Sequence, residues 1–447
     1  MRILLFIYRT IIFCCIFFST TLSFSQDTFR IVDGRDSQAI TFKLINNLII
    51  IPVEVNGSEL NFLLDTGVGN TIMFNLSVED SLKLKNTQMV RIRGLGEGNY
   101  MDAIKSTKNV FKIGSIVNGN HLVYAIPGEE FDLASKMGIT INGIIGGKLF
   151  EDFVIDINYN TNRVKFYNPI AYKYKDCKKC EEFPLDFYND KPYMDLNVDL
   201  GNSQQMDVKL LIDLGGSDAL WLFEDSDDRI KARDNYYDDY LGRGLSGNIH
   251  GKRSQLEELK VGRYSFNKVN VAYPDSLSIE HAYRNKKRNG SLGSGIIKRF
   301  RVIFDYQSKK IVFVRPSRYY NDPFVHNMSG IELSHNGSMI VPERQRKLLS
   351  GDTTDERGHS TIELLYSYVY SLKPSYRIAV IRKNSPAEKA GLKVDDILLK
   401  VNGKPSYDYK LEEIIHLFSV KEGKQIKLVI ERDGVELTYA FTLQKMI

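Results

Sequence analysis

The chain of 447 residues is poor in the residue types that many chemistries depend on, with 4 Cys, 1 Trp, 12 Pro and 7 His. The histidines are scattered, and no His-Glu-x-x-His pair or second Cys/His pair is placed to complete a zinc site. His121, His250 and His281 have no Ser or Cys partner that would mark a nucleophile and base. The acidic runs at 225–228 and 234–239 lack EF-hand spacing and its terminal Glu, so they read as solvent-facing. The residues therefore call for no metal and no cofactor. Net charge is only +5, and the densest basic run, 284–288, reads as a solvated loop rather than a nucleic-acid face. Proline is too sparse for a long disordered tract.

Long apolar runs are lacking as well. Arg2 and Arg9 flank a short positive region, residues 11–18 are apolar, and Ser23-Phe24-Ser25 offers small residues before Gln26. This is the layout of a signal peptide, and its apolar core is shorter than the ~20 residues a membrane span needs. The expectation is removal of residues 1–25 and export, to the periplasm or cell envelope or outside the cell, with an uncleaved anchor as the alternative. No membrane span is expected after signal removal. Only Cys177 and Cys180 then remain, and in an exported chain they are either a local disulfide or two free thiols.

What the sequence does hold is a repeat. An apolar strand runs into Asp65-Thr66-Gly67, and another runs into Asp213-Leu214-Gly215, 148 residues later. Residues 142–159 align without a gap on 289–306, an offset of 147, sharing Asn142/Asn289, Gly143/Gly290, Gly146/Gly293, Phe153/Phe300 and Tyr159/Tyr306. Between these landmarks lie two glycine-rich stretches, around Gly94 and Gly96 and around Gly244. Three landmarks in one order and at nearly one spacing mean two copies of one domain. Each copy reads as mainly β: residues 49–55 and 59–64 form a hairpin about Asn56-Gly57, and 154–157 with 163–167 form another. Only short helices are expected, near 148–150 and 296–299.

A carboxylate at the end of a buried strand is costly unless satisfied, and a Gly two residues on lets the backbone turn tightly. Two such turns can bring two carboxyls face to face. Like charges that close share one proton, so one member can activate water while the other hydrogen-bonds a carbonyl. On these residues the chain resembles the pepsin-like and retroviral-type aspartic peptidases: Asp65-Thr66-Gly67 with Ile144-Ile145-Gly146 in the first copy, and the weaker Asp213-Leu214-Gly215 with Leu292-Gly293 in the second. The resemblance covers roughly residues 35–318. It implies two β lobes with a cleft between them, Asp65 and Asp213 as the catalytic pair, Thr66, Gly67 and Gly215 supporting their turns, and flaps at 94–100 and 242–251 carrying Gly94, Gly96 and Gly244. It also implies a polypeptide substrate. Leu214 cannot donate the hydrogen bond that Thr66 can, and Ser291 stands where the family has an apolar residue. A decayed, peptide-binding protein is thus the alternative to an enzyme. Trp221 reads as core, or as a cleft wall.

Past Arg318 the pattern changes. Residues 334–361 are polar, with Pro342, Gly351 and Gly358, and read as a long loop or insertion. Strands are expected at 377–381, 396–401, 424–432 and 435–443, with a helix at 411–418. Ser385-Pro386-Ala387, Ala390-Gly391-Leu392, Asp395-Asp396-Ile397-Leu398 and Val401-Asn402-Gly403 resemble a bacterial-type PDZ domain. That resemblance implies binding of a peptide C-terminus by strand addition, with Gly330, Ile331 and Leu333 as the peptide-binding segment. The expected organisation is signal peptide 1–25, lobe one 26–172, lobe two 173–320 and PDZ domain 321–447: a mainly β, two-lobed β-barrel pair followed by an α+β PDZ domain.

Overall fold

The computed structural model describes residues 27–74, 82–128, 137–201, 204–349 and 363–446, so the signal region lies outside the described residues. The described chain is mainly β, in four sheets. Two of these are copies of one another. In the first, the strands run in the order Arg30–Ile31, Ile116–Ala125, Thr71–Met73, Gly143–Ile145, Ser58–Leu64, Leu48–Val55, Met101–Ile113, Gln88–Ile92. In the second, Gly290–Gly293 takes the place of Gly143–Ile145, flanked by Gln205–Asp213 and Leu220–Leu222.

The first hairpin forms for local reasons. Leu48–Val55 and Ser58–Leu64 bury nearly every apolar residue, and Asn56 and Gly57 both take positive φ, 49° and 99°, as a tight two-residue hairpin turn requires. The crossing strand Gly143–Ile145 then lies parallel to the end of Ser58–Leu64 and antiparallel to Thr71–Met73. Gly290–Gly293 repeats this against Gln205–Asp213 and Leu220–Leu222. In each copy the crossing strand closes the sheet beneath the Asp turn.

A third sheet joins the copies. Val154–Asn158 pairs with Phe300–Asp305, and its register matches Ile155 with Phe304, Asp156 with Ile303 and Ile157 with Val302. Asp156 and Ile303 are one repeat apart, so the local two-fold axis passes through this pair. The apolar core runs through the sheet without a break, from Phe150 and Phe166 to Phe300 and Phe313. Phe150 meets Phe304 edge-on at 5.3 Å and stacks on Tyr306 at 5.4 Å. The two lobes therefore share a core rather than meeting at a surface. Cys177 and Cys180 are joined as a disulfide with Cα atoms 5.4 Å apart, next to this sheet.

The fourth sheet runs Ile331–Leu349, Glu363–Ile381, Ile397–Val401, Gln425–Arg432, Val435–Thr442, with its own core around Ile378, Leu398, Ile414 and Ile430. Here the sequence expectation is corrected. Residues 334–349 are not a loop but strand, paired with Glu363–Ile381 along a ribbon of 19 residues per strand. Much of the outer ribbon is solvent-exposed, with Ile340, Tyr370 and Leu372 at the surface, so it carries no clean apolar alternation. Pro342 reads as a breaker, yet it sits on an edge strand, where it is tolerated, and Gly337 lies at a register shift of the ribbon. Gly351 and Gly358 lie outside the described residues.

Candidate active site

Each Asp turn is placed by its crossing strand. Asp65 N–H donates to Ile145 O at 2.9 Å, and a Cβ on Gly146 would stand 1.6 Å from Asp65 O, so only glycine lets the crossing strand pass there. The two carboxyls come together on shared donors. Gly215 N–H reaches Asp213 Oδ1 at 3.0 Å and Asp65 Oδ1 at 3.1 Å. Gly67 N–H donates to Asp65 Oδ1 at 2.6 Å. A Cβ added to Gly67 would lie 3.0 Å from Asp65 Oδ1 and 3.1 Å from Asp213 Oδ1. The inner carboxyl oxygens thus face each other across one pair of glycine amides.

Burial, and next the Asp213 charge, raise the Asp65 carboxyl from the ordinary carboxylate range to about 7. The Gly67 and Gly215 amides and the Lys191 ammonium pull the other way. Lys191 is itself pushed down by burial and by the Arg288 guanidinium. The Tyr306 phenol is buried with no hydrogen-bond partner among the described residues, and burial and the Asp65 charge push its ionisation up.

Thr66 ties the two halves together. Its Oγ1 donates to Ile212 O at 2.6 Å and accepts from Leu214 N–H at 3.1 Å, both in the opposite lobe. The reciprocal bonds are missing because Leu214 has no hydroxyl. Leu214 is instead fully buried, and Ser294 Oγ donates to its carbonyl at 3.0 Å. Thr66→Val keeps the side-chain shape and orphans one buried N–H and one buried C=O. It is expected to lower stability by about 1–3 kcal/mol, read by thermal unfolding, and to reduce any Asp65-dependent activity.

Two polar assignments need correction. Arg288 is not in a solvated loop: it is 5% exposed, with Nε donating to Gly290 O at 2.9 Å and Nη2 to Ser291 Oγ at 2.5 Å. That bond satisfies the buried Ser291 hydroxyl, the departure noted in the second crossing strand. Asp239 is not at the surface either; its side chain is largely buried against Arg253 Nε at 2.8 Å. A basic residue three positions before a polar crossing-strand residue was the available signal, and a charge run masked it.

The glycine-rich stretches meet each other. Residues 93–100 follow strand Gln88–Ile92, and Leu245-Ser246 turn between Tyr237–Gly244 and Gly247–Val261. Gly98 N–H donates to Ser246 O at 2.6 Å, Ser246 N–H to Leu95 O at 2.8 Å, and Gly94 N–H to Ser246 Oγ at 2.9 Å. A Cβ on Gly96 would meet Gly247 N at 2.6 Å, and one on Gly244 would meet Leu95 O at 2.2 Å, so these glycines serve close backbone contact. Leu95 packs into the second lobe against Phe223, Ile279, Leu241 and Ile249. Leu245 packs reciprocally into the first lobe, on the cluster of Ile50, Leu63, Phe74 and Ile144. Arg93 pairs with Glu280 at 3.0 Å. Trp221 is half-buried between these sites, packs with Leu95 and donates to Asp218 Oδ2 at 2.7 Å. Glycine content marked both stretches in the sequence; the leucine exchange has no local signal.

In the PDZ-like unit, Ile331 and Leu333 are buried in the core, so only their backbone lies on the outer edge of the sheet. Gly330 takes a φ of 81° at the turn before that edge. No group of His, Cys, Asp and Glu among the described residues could hold a metal ion. No helix among the described residues is long and apolar enough to cross a membrane.

Comparison with known proteins gives matches over parts of the chain. Curated relatives match over short stretches: 45% identity over 53 residues to the carboxy-terminal processing protease CtpA of Bacillus subtilis, 12% of this chain and 11% of that protein. A probable CtpA-like serine protease of Staphylococcus haemolyticus is 43% identical over 54 residues, again 12% and 11%. The serine endoprotease DegS of Salmonella typhimurium is 34% identical over 65 residues, 14% of this chain and 18% of that protein. The chain thus spans less than a fifth of the length of the relatives it matches. The aligned stretches are about as long as the PDZ-like segment alone. Family models match at residues 51–149, described as an aspartyl protease, and at 377–432, described as a PDZ domain. The chain therefore carries a retropepsin-like aspartyl protease domain and, after it, a PDZ domain.

Proposed function

We propose that this chain is an exported aspartic-type endopeptidase in which Asp65 and Asp213 activate one water, with the PDZ domain recruiting or regulating its polypeptide substrate. The observation that carries the reading is the Gly215 N–H shared by both carboxyls. In the one-proton state, the ionised carboxylate takes a proton from the water as its oxygen attacks the scissile carbonyl carbon. The protonated carboxyl donates to the carbonyl oxygen. The tetrahedral diol then collapses, the C–N bond breaks, and the leaving nitrogen takes the proton that the carboxylate drew from the water, with no covalent enzyme intermediate. The names of the matched relatives point to serine chemistry, but the site described above offers paired carboxylates and, among the described residues, no Ser-His partner. The Cys177–Cys180 disulfide supports export to an oxidising compartment.

Because Asp65 is raised to about 7, the one-proton state persists toward neutral pH and is lost as pH rises through that value. The expected result is a pH profile of kcat/KM whose alkaline limb falls near neutrality. The test is digestion of a denatured protein by residues 26–447 from acidic to neutral pH, with and without a statine-type inhibitor. Inhibitor-insensitive cleavage, or none at any pH, overturns the reading. The adaptor alternative is favoured by one observation, the single-sided Thr66 link opposite Leu214. It expects peptide binding without hydrolysis in the same assay.

A further inference from the structure

The turn before the free PDZ edge is where a strand-adding peptide would place its terminal carboxylate. Its amides are already occupied from within. Asn327 Oδ1 accepts from Ser329 N–H at 3.0 Å, Ser329 Oγ at 2.7 Å and Gly330 N–H at 3.2 Å. Ser329 Oγ accepts in turn from Ile331 N–H at 3.0 Å. A side-chain amide oxygen thus sits where a ligand oxygen would go.

Arg382 lies against this turn. Its backbone N–H donates to Gly330 O at 2.8 Å and its Nη2 to Asn327 O at 3.1 Å. The side chain is 5% exposed, its guanidinium stands over the Tyr237 ring at 4.6 Å, and its Nε is buried without a partner among the described residues. Its ion pair is a long one, Nη1 to Asp239 Oδ1 at 3.7 Å, too far for a hydrogen bond. A buried guanidinium so incompletely paired gains from a second carboxylate.

Asp239 belongs to strand Tyr237–Gly244, which leads into the second flap turn. From there, contacts run on to the candidate active site. Arg253 Nε donates to Asp239 at 2.8 Å and its Nη1 to Asp218 Oδ1 at 2.9 Å. Asp218 accepts from Trp221 Nε1 at 2.7 Å, and its carbonyl accepts Gly295 N–H at 3.0 Å. Asp218 lies in the turn that follows Asp213.

We propose that Arg382 is shared between two anions: a peptide C-terminal carboxylate that displaces Asn327 from the PDZ turn, and Asp239 of the flap strand. Binding the first draws Arg382 from the second, releases strand Tyr237–Gly244 and alters the surroundings of Trp221. The proposal rests on the protease reading only for its consequence, faster cleavage; the switch itself is a binding event. The carboxylate has two sources, the substrate's own end or a separate peptide.

The test separates these. Asp65→Asn protein is titrated with a Trp-free peptide ending in leucine, as the free acid and as the C-terminal amide, following emission of the chain's 1 Trp, Trp221. The free acid is expected to bind about tenfold tighter or better than the amide, the gain of one charge-assisted contact, and to shift Trp221 emission. Arg382→Gln loses both effects; Arg382→Lys, kept as a folding control by thermal unfolding, retains part of the acid preference. Equal binding of acid and amide, or acid binding that leaves Trp221 emission unchanged, overturns the proposal whether or not the protein is a protease. In active protein, a doubly blocked short substrate is cleaved several-fold faster when the free-acid peptide is added, which marks a separate activator. If acceleration appears only for substrates with their own free C-terminus, the carboxylate is the substrate's.

Discussion

Asp65→Asn and Asp213→Asn, made one at a time, are each expected to lower kcat for peptide hydrolysis by about 10²–10⁴-fold, the range for losing a positioned acid or base. The substitutions are nearly isosteric, so the glycine amides that reach each carboxyl still find an oxygen acceptor. What is lost is the shared proton. An amide can neither take a proton from water nor give one to a carbonyl. The fold gives an independent readout. Asp65 binds its proton more tightly when folded than the ordinary value of 3.8 allows when unfolded. Its contribution to stability is therefore fully present below that ordinary value and is lost as pH rises through about 7. The amide that Asp65→Asn introduces does not titrate and has no such dependence. Thermal unfolding of Asp65→Asn is expected to match the parent in acid and to exceed it above neutral pH, while activity is lost throughout. Hydrolysis that survives either substitution sinks the two-carboxylate mechanism.

The second large effect separates the scaffold from the chemistry. Gly146→Ala places a methyl 1.6 Å from the Asp65 carbonyl, a backbone atom that cannot swing away. The crossing strand must lift off Ser58–Leu64, breaking the Asp65 N–H to Ile145 O bond. Destabilisation of about 3 kcal/mol or more is expected, at the upper end for overpacking, measured by denaturant unfolding. Gly215→Ala differs in kind. Its Cβ would meet the Asp65 carboxyl, Oδ2 at 2.3 Å and Cγ at 2.4 Å, atoms of a side chain rather than of the backbone. That variant is expected to fold with a much smaller loss and to be inactive, because the carboxyl is pushed off the shared amide. If both variants lose stability equally, the crossing strand is not what holds the Asp turn.

Much of this was legible without coordinates because the repeat is written twice. Residues 142–159 and 289–306 share their spacing, and spacing transmits directly into the two-fold pairing of Ile155 with Phe304 and Ile157 with Val302. The hairpin about Asn56-Gly57 and the helix Leu411–Leu417 follow from local periodicity and turn chemistry. The outer part of the ribbon, from residue 336 on, was not legible, because strand residues mostly open to solvent leave no alternating pattern. Arg288 and Asp239 were misread for one reason: a charge run in sequence looks the same whether its members face water or a buried partner.

Repetition and turn chemistry thus determined a duplicated, mainly β domain with an Asp-x-Gly turn and a glycine-rich stretch in each copy, while the PDZ-like unit after them was read from a resemblance. Tertiary structure alone decided which backbone groups of the other lobe the Thr66 hydroxyl reaches, that Ser294 and Arg288 support the departures at Leu214 and Ser291, that Leu95 and Leu245 exchange lobes, and that Arg382 reaches Asp239. The division has a physical cause. Periodicity and turn residues act over a few neighbours, so they are readable in order along the chain. Buried polar pairing joins residues 80 or more positions apart in several of these cases, and only the packed fold sets which donor meets which acceptor.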